Sequence, residues 1–488
     1  MKIPAQLVLF VLVNIIFCDG APTVTTSYGD IEGFDYQTET GFDSEVFLKV
    51  PFAKPPIGEL RYEKPVAPEP SNSTLMAKSF GPYCATFTTS TTNHSEDCLY
   101  LNIMRPANLS SDDGYPVAFW IHGGGNYGLW DLYQALTFVK EVIGDFGGNP
   151  NKVTIFGQSA GAACVSYLSL KPEAENLFTR VIQMSGTSQA LWAQGDDTVD
   201  SSNRLNTYLG CNNATSPKEC LKSFSTSDIQ TAVQSFILTF PAFGSRIDTP
   251  DNSFFNPRID GDFLTADNFS EAIQNAPKRT NLFGINSHET TGYSTFVANY
   301  STYIPVPYYK IANFSEADFS EAVHAMYGTV EAFGNNSAVA AESIINWYSN
   351  NSIYTHDVYM QNYGQIIDDL YFTVFGRREA KMKTEKGDKV YYYRYSYVST
   401  LDPITDGVRH SMELPNLFQN PSTPEGKQVQ SKFLDLYENF IKTGQPMVEN
   451  YIISAVTDQV VPFLDIDVNI TLETDLWPER GLLEPISK

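Results

Sequence analysis

The sequence predicts an α/β fold, built on one mostly parallel, doubly wound sheet with helical insertions. Three observations predict it. The 488 residues are 42% hydrophobic and 18% charged, a balance that suits a globular chain with a large core. Short apolar strands alternate with stretches of helical periodicity. One of those strands, Val153 to Phe156, runs straight into Gly157-Gln158-Ser159-Ala160-Gly161 and a small-residue helix start. That strand–elbow–helix order projects a serine hydroxyl above a sheet.

In chain order, Lys2 precedes an apolar run from Leu7 to Phe17, broken by Asn14 and followed by Cys18-Asp19-Gly20-Ala21. The run is too short to span a bilayer and suits a signal-peptide core, with cleavage after Gly20. Residues 1–20 are therefore expected to be a signal peptide, and residues 21–488 one domain, since no repeat or low-complexity linker divides them. No later stretch is apolar enough to cross a membrane. The closing Glu-Pro-Ile-Ser-Lys carries no retention or lipid-anchor signal.

From Thr23 to Leu48, alternation around Gly29 and Gly33 predicts antiparallel edge strands. Lys54-Pro55-Pro56-Ile57-Gly58 is a rigid turn. Pro116 to Ile121 is a buried strand leading into His122-Gly123-Gly124-Gly125. Leu132, Ala135, Leu136, Val139 and Ile143 give a helix over Trp130 to Val142, stopped by Gly144 and Gly147-Gly148-Asn149-Pro150. After the elbow comes a strand at Arg180 to Met184. The stretch from Ala190 to Arg378 is predicted as helical and loop insertions around one strand, Asn281 to Asn286. Lys389 to Tyr397 is an aromatic strand, and Lys432 to Ile441 an amphipathic helix.

A net charge of −24 argues against a nucleic-acid partner, whose phosphates would be repelled. Asn-x-Ser/Thr triplets begin at Asn72, Asn93, Asn108, Asn213, Asn268, Asn299, Asn313, Asn335, Asn350 and Asn469, a density that fits a glycosylated, secreted surface. Beyond the leader, Cys84 with Cys98 and Cys211 with Cys220 are close pairs in polar sequence, each able to close a short loop in an oxidising compartment. Cys164, in the small-residue helix, is expected as a buried thiol. No Cys or His pair has ligand spacing, so no metal is expected.

A serine needs a base within hydrogen-bond reach before it is a useful nucleophile. With a strand–elbow–helix serine, the acid and then the histidine follow along the chain. Of the six histidines, only His410 lies in a loop after a late strand and leaves room for an intervening acid. Glu289, in the loop after Leu282 to Asn286, is the candidate acid, able to accept the Nδ1 proton of His410. Gly124 and Gly125, with Ala160 just after the nucleophile, are the candidate oxyanion donors.

Together these residues resemble the type-B carboxylesterase and cholinesterase family. Further landmarks recur in order along nearly the whole mature chain. They are Ala53-Lys54-Pro55-Pro56-Ile57-Gly58 with Leu60-Arg61, Ser95-Glu96-Asp97-Cys98-Leu99-Tyr100-Leu101-Asn102, Phe146-Gly147-Gly148-Asn149-Pro150, Asp260-Gly261 and Thr443-Gly444-Gln445-Pro446. The resemblance implies an α/β-hydrolase fold, disulfides Cys84–Cys98 and Cys211–Cys220, and a Ser159–Glu289–His410 triad. It also implies hydrolysis of small carboxylic esters through an acyl-serine intermediate, with no cofactor. A non-catalytic secreted recognition protein of the same family is the alternative, although such members typically lose a triad residue type and all three are present here.

Two departures stand out. No tryptophan lies between Ala85 and Asp97, where cholinesterases place the ring that binds a quaternary ammonium. Gly125 also runs directly into Asn126-Tyr127-Gly128-Leu129-Trp130, where the family has a sheet strand and its loops. The absent strand would flank Val117 to Ile121, so this form is expected to be poorly secreted or weakly active.

Overall fold

The computed structural model describes residues 20–85, 93–109, 113–124, 128–195, 197–239, 255–290, 310, 312–328, 334–399 and 407–476. The expected signal peptide, apart from Gly20, and the candidate oxyanion residue Gly125 lie outside the described residues.

Among the described residues, seven strands form the main sheet, and their spatial order follows the chain. They are β1 (Tyr115–Ile121), β2 (Gly148–Gln158), β3 (Arg180–Met184), β4 (Thr280–Asn286), β5 (Lys389–Tyr395), β6 (Phe463–Ile466) and β7 (Thr471–Glu473). All neighbours are parallel except β6 and β7. Parallel neighbours need crossovers, which put helices on both faces.

On one face, Val153, Ile155 and Val181 pack with α1 (Leu129–Val142) and α2 (Ala160–Leu170). On the other, Phe156, Ile182, Leu282, Tyr391 and Tyr393 pack against α5 (Pro424–Thr443) through Val429, Phe433, Leu436, Tyr437 and Phe440. Those five recur at helical spacing, and each buried side chain contributes about 1.5–3 kcal/mol. Thr423 caps the helix by accepting from the Gly426 N–H at 3.0 Å, and Gly444 closes it at φ 78°. The helix starts eight residues before the expected Lys432, because its first turns are polar and carry little periodicity.

The left flank differs. Among the described residues, β1 pairs only with β2, so its outer edge has no ladder partner. The antiparallel strands expected near the N-terminus do not extend the main sheet. Phe34–Gln37, Asp43–Pro51 and Tyr100–Pro106 form a separate three-stranded sheet. It packs on α1 through Phe47, Val50 and Ile103 against Ala135, Phe138 and Val142. The N-terminal strands and β1 therefore belong to different sheets among the described residues.

Candidate active site

Ser159 sits between β2 and α2 with φ 57° and ψ −124°, a conformation that costs a non-glycine residue about 1–3 kcal/mol. Neighbours hold it there. Its N–H donates to the Met184 carbonyl at 2.9 Å, and its carbonyl accepts from the Ala163 N–H at 3.0 Å. A Cβ on Gly161 would lie 2.1 Å from the Ile121 carbonyl oxygen, so only glycine lets α2 start this close to β1. The glycine loop closes on the same point, since a Cβ on Gly123 would lie 3.0 Å from the Ser159 Cβ. Gly124 follows at φ 91°. Ala160 opens α2, where the first backbone N–H groups lack intrahelical partners.

The loops after β4 and β5 bring Glu289 and His410 together across 121 residues of chain. His410 Nδ1 lies 2.7 Å from Glu289 Oε2, and the His410 N–H donates to the Glu289 carbonyl at 2.9 Å. Glu289 is buried, and its other carboxylate oxygen accepts from Ser185 Oγ at 2.5 Å and the Asn286 N–H at 2.7 Å. Ser185 and Ser411 both have positive φ, 52° and 68°, so strained serines cluster around this pair. Burial acts to lower the His410 pKa. The hydrogen bond and charge of Glu289, with the charges of Glu413 and Asp368, outweigh it and raise the pKa above the ordinary value.

At the other ring nitrogen, His410 Nε2 lies 3.3 Å from Gln158 Nε2, which also donates to Ser411 Oγ at 2.9 Å. Among the described residues, Ser159 Oγ makes no hydrogen bond to His410. The structure therefore joins Glu289 to His410 directly and places Ser159 on the adjoining elbow. Two of the remaining histidines have partners of their own. His324 meets Glu342 at 2.9 Å, and His288 faces Asp368 at 3.2 Å and the Tyr354 hydroxyl at 2.8 Å.

Several site residues escaped the sequence. Glu413 accepts from Asn286 Nδ2 at 2.6 Å, and burial, followed by the charge of Glu289, pushes its pKa up to about 7. Its only signal was a position three residues after His410. Ser185 directly follows β3, as Ser159 follows β2, a parallel visible only once both strands are in one sheet. Phe372 had no signal. It belongs to a π-helical turn, Asp369–Thr373, joining α3 (Val358–Asp368) to α4 (Val374–Lys386). Its ring lies 4.8 Å from that of His410 and 5.7 Å from that of Trp192, giving the site an apolar wall.

Both expected disulfides form, Cys84–Cys98 and Cys211–Cys220. Cys164 is a buried free thiol, pushed up to about 12 by burial.

Comparison with known proteins gives the same family. The carboxylesterase family model matches residues 20–125 and 124–478, two stretches that meet at the glycine loop. Gut esterase 1 of Caenorhabditis briggsae is 30% identical, covering 89% of this chain and 86% of its own length. Its alignment runs over 506 positions, more than the 488 residues of the chain, so it opens gaps in this sequence. Gut esterase 1 of Caenorhabditis elegans is 29% identical over 97% of this chain and 94% of its own. Rat carboxylesterase 1C is 26% identical over 87% and 86%. With the family model spanning both halves of the sheet, the chain belongs to the carboxylesterase family.

Proposed function

We propose that this protein is a secreted esterase that cleaves small, largely apolar carboxylic esters through an acyl-Ser159 intermediate. The observation that carries the reading is the strained Ser159 elbow beside the buried Glu289–His410 pair. His410 Nε2 takes the Ser159 proton as Oγ attacks the ester carbonyl. Glu289, bonded to Nδ1, fixes the tautomer and stabilises the imidazolium. The backbone N–H groups of Gly124, Gly125 and Ala160 receive the developing oxyanion. His410 then protonates the leaving alcohol, and water, deprotonated by the same nitrogen, releases the acid. Trp192 and Phe372 favour an apolar substrate, and the lack of a tryptophan between Ala85 and Asp97 disfavours choline esters.

Secretion is supported by the two disulfides and by the sequons. Nine of the ten sequon asparagines are described and all nine are exposed; Asn299 lies outside the described residues. No helix among the described residues is long and apolar enough to cross a membrane. One observation favours a second reading, an inactive shortened form or a non-catalytic recognition protein: the outer edge of β1, the strand carrying the glycine loop, has no ladder partner among the described residues. The deciding experiment measures hydrolysis of a short chromogenic ester and maps the residue labelled by an organophosphate. The esterase reading requires label on Ser159 and loss of turnover in Ser159→Ala. A folded chain with neither turnover nor label establishes the second reading.

A further inference from the structure

We propose that Gln158 is a positioning residue that holds His410 in its neutral, proton-accepting form and must release Nε2 before Ser159 can transfer its proton. The inference rests on the triad proposed above.

Gln158 is the last residue of β2 and only 2% exposed, so its amide meets protein groups rather than bulk water. One nitrogen atom reaches two groups, Ser411 Oγ at 2.9 Å and His410 Nε2 at 3.3 Å. A carboxylate can only accept, so Glu289 requires a proton on His410 Nδ1. In the neutral ring Nε2 then carries a lone pair, and the amide N–H donates to it. Protonation of Nε2 would set donor against donor. The contact therefore favours the neutral ring.

The other groups facing the ring pull the opposite way. Glu289, Glu413 and Asp368 all favour a proton on it, and the face of Phe372 lies alongside. Gln158 is the neutral counterweight to three acids. It is also a competitor, because the lone pair it occupies is the one that must receive the proton from Ser159 Oγ. When that proton moves to Nε2, the Gln158 N–H contact breaks and the amide turns away or presents its oxygen.

Two variants outside the triad test this. Gln158→Met keeps length and packing but removes the donor. Ser411→Ala removes the acceptor that orients the amide. Gln158→Glu calibrates how strongly the ring senses this position. With six histidines in the chain, selective ¹⁵N-histidine labelling follows the titration of His410 in the resting enzyme, whether or not it turns over ester. In Gln158→Met and Ser411→Ala, His410 should take up its proton at higher pH than in the wild type. In Gln158→Met, kcat/KM in acid relative to that in mild base should fall roughly two- to tenfold below the wild-type ratio, the span of one neutral hydrogen bond. A merely structural role would lower yield or kcat equally at every pH and leave the midpoint in place. An unchanged or lowered His410 midpoint in the folded variants overturns the proposal. Ester turnover that survives Ser159→Ala overturns the triad instead, so the two failures are distinct.

Discussion

The two flanks of the main sheet support the site unequally. From β2 to β5, each strand has a ladder partner on both sides, and Val153, Ile155, Ile182 and Leu282 are fully buried. These strands carry Ser159, Ser185, Glu289 and His410 on their C-terminal loops. In β1, only Ile121 is buried, Ala118 is exposed, and one edge lacks a partner among the described residues. That strand carries the glycine loop. The proposed nucleophile, its base pair and the oxyanion donor Ala160 thus hang from a braced scaffold, while the proposed donors Gly124 and Gly125 follow a half-braced strand.

The largest expected effect tests the braced side. Ser159→Ala should lower turnover of a short ester by at least about a thousandfold, with unchanged thermal unfolding. Next comes the weak side. Inserting, after Gly125, the corresponding segment of a carboxylesterase relative should pair the outer edge of β1 and settle Gly124. Secretion yield should rise, and kcat should rise by up to about a hundredfold, the order of one oxyanion donor. Equal kcat in both forms would remove the distinction between the flanks.

Packing gives a smaller contrast. Ile155 in β2 is fully buried, and Ile155→Ala should cost about 2–5 kcal/mol in urea unfolding. Val117 is only half-buried in β1, and Val117→Ala should cost about 1 kcal/mol or less. Similar costs would mean that β1 is packed as firmly as β2.

The smallest effect is in the pH profile. A raised His410 pKa means the ring keeps its proton to higher pH, so kcat/KM should fall on acidification from a midpoint above the ordinary histidine value of about 6.5. Glu413 contributes a negative charge to that shift. Because Glu413 is itself raised to about 7 and is neutral well below that pH, Glu413→Gln should lower the midpoint only slightly, at the upper end of the acid limb where Glu413 is still ionised. A limb that moves upward would reverse the sign of this electrostatic account.

What was legible in the sequence was local. The elbow, the five-residue Arg180–Met184 strand and the 14-residue α1 are each written in one short contiguous stretch. His410 emerged by eliminating five competitors, and Glu289 by its place after a strand. What the sequence hid was contact between distant segments. Ser185 and Glu289 are 104 residues apart, and Gln158 and His410 are 252 apart. No periodicity encodes such pairs, because a serine or glutamine at a strand end is equally at home in a plain turn. The break after Gly125 was visible only against the family pattern. The unpartnered outer edge of β1 needed the observed pairings.

The unequal support of the two flanks is tested most directly within a single molecule, by hydrogen–deuterium exchange followed by mass spectrometry. Backbone amides of β1, Tyr115–Ile121, are expected to exchange far faster than those of residues 153–158 in β2, opening locally without global unfolding. Equal protection of the two strands would contradict the account, because it would show that β1 is braced by contacts the ladder does not include.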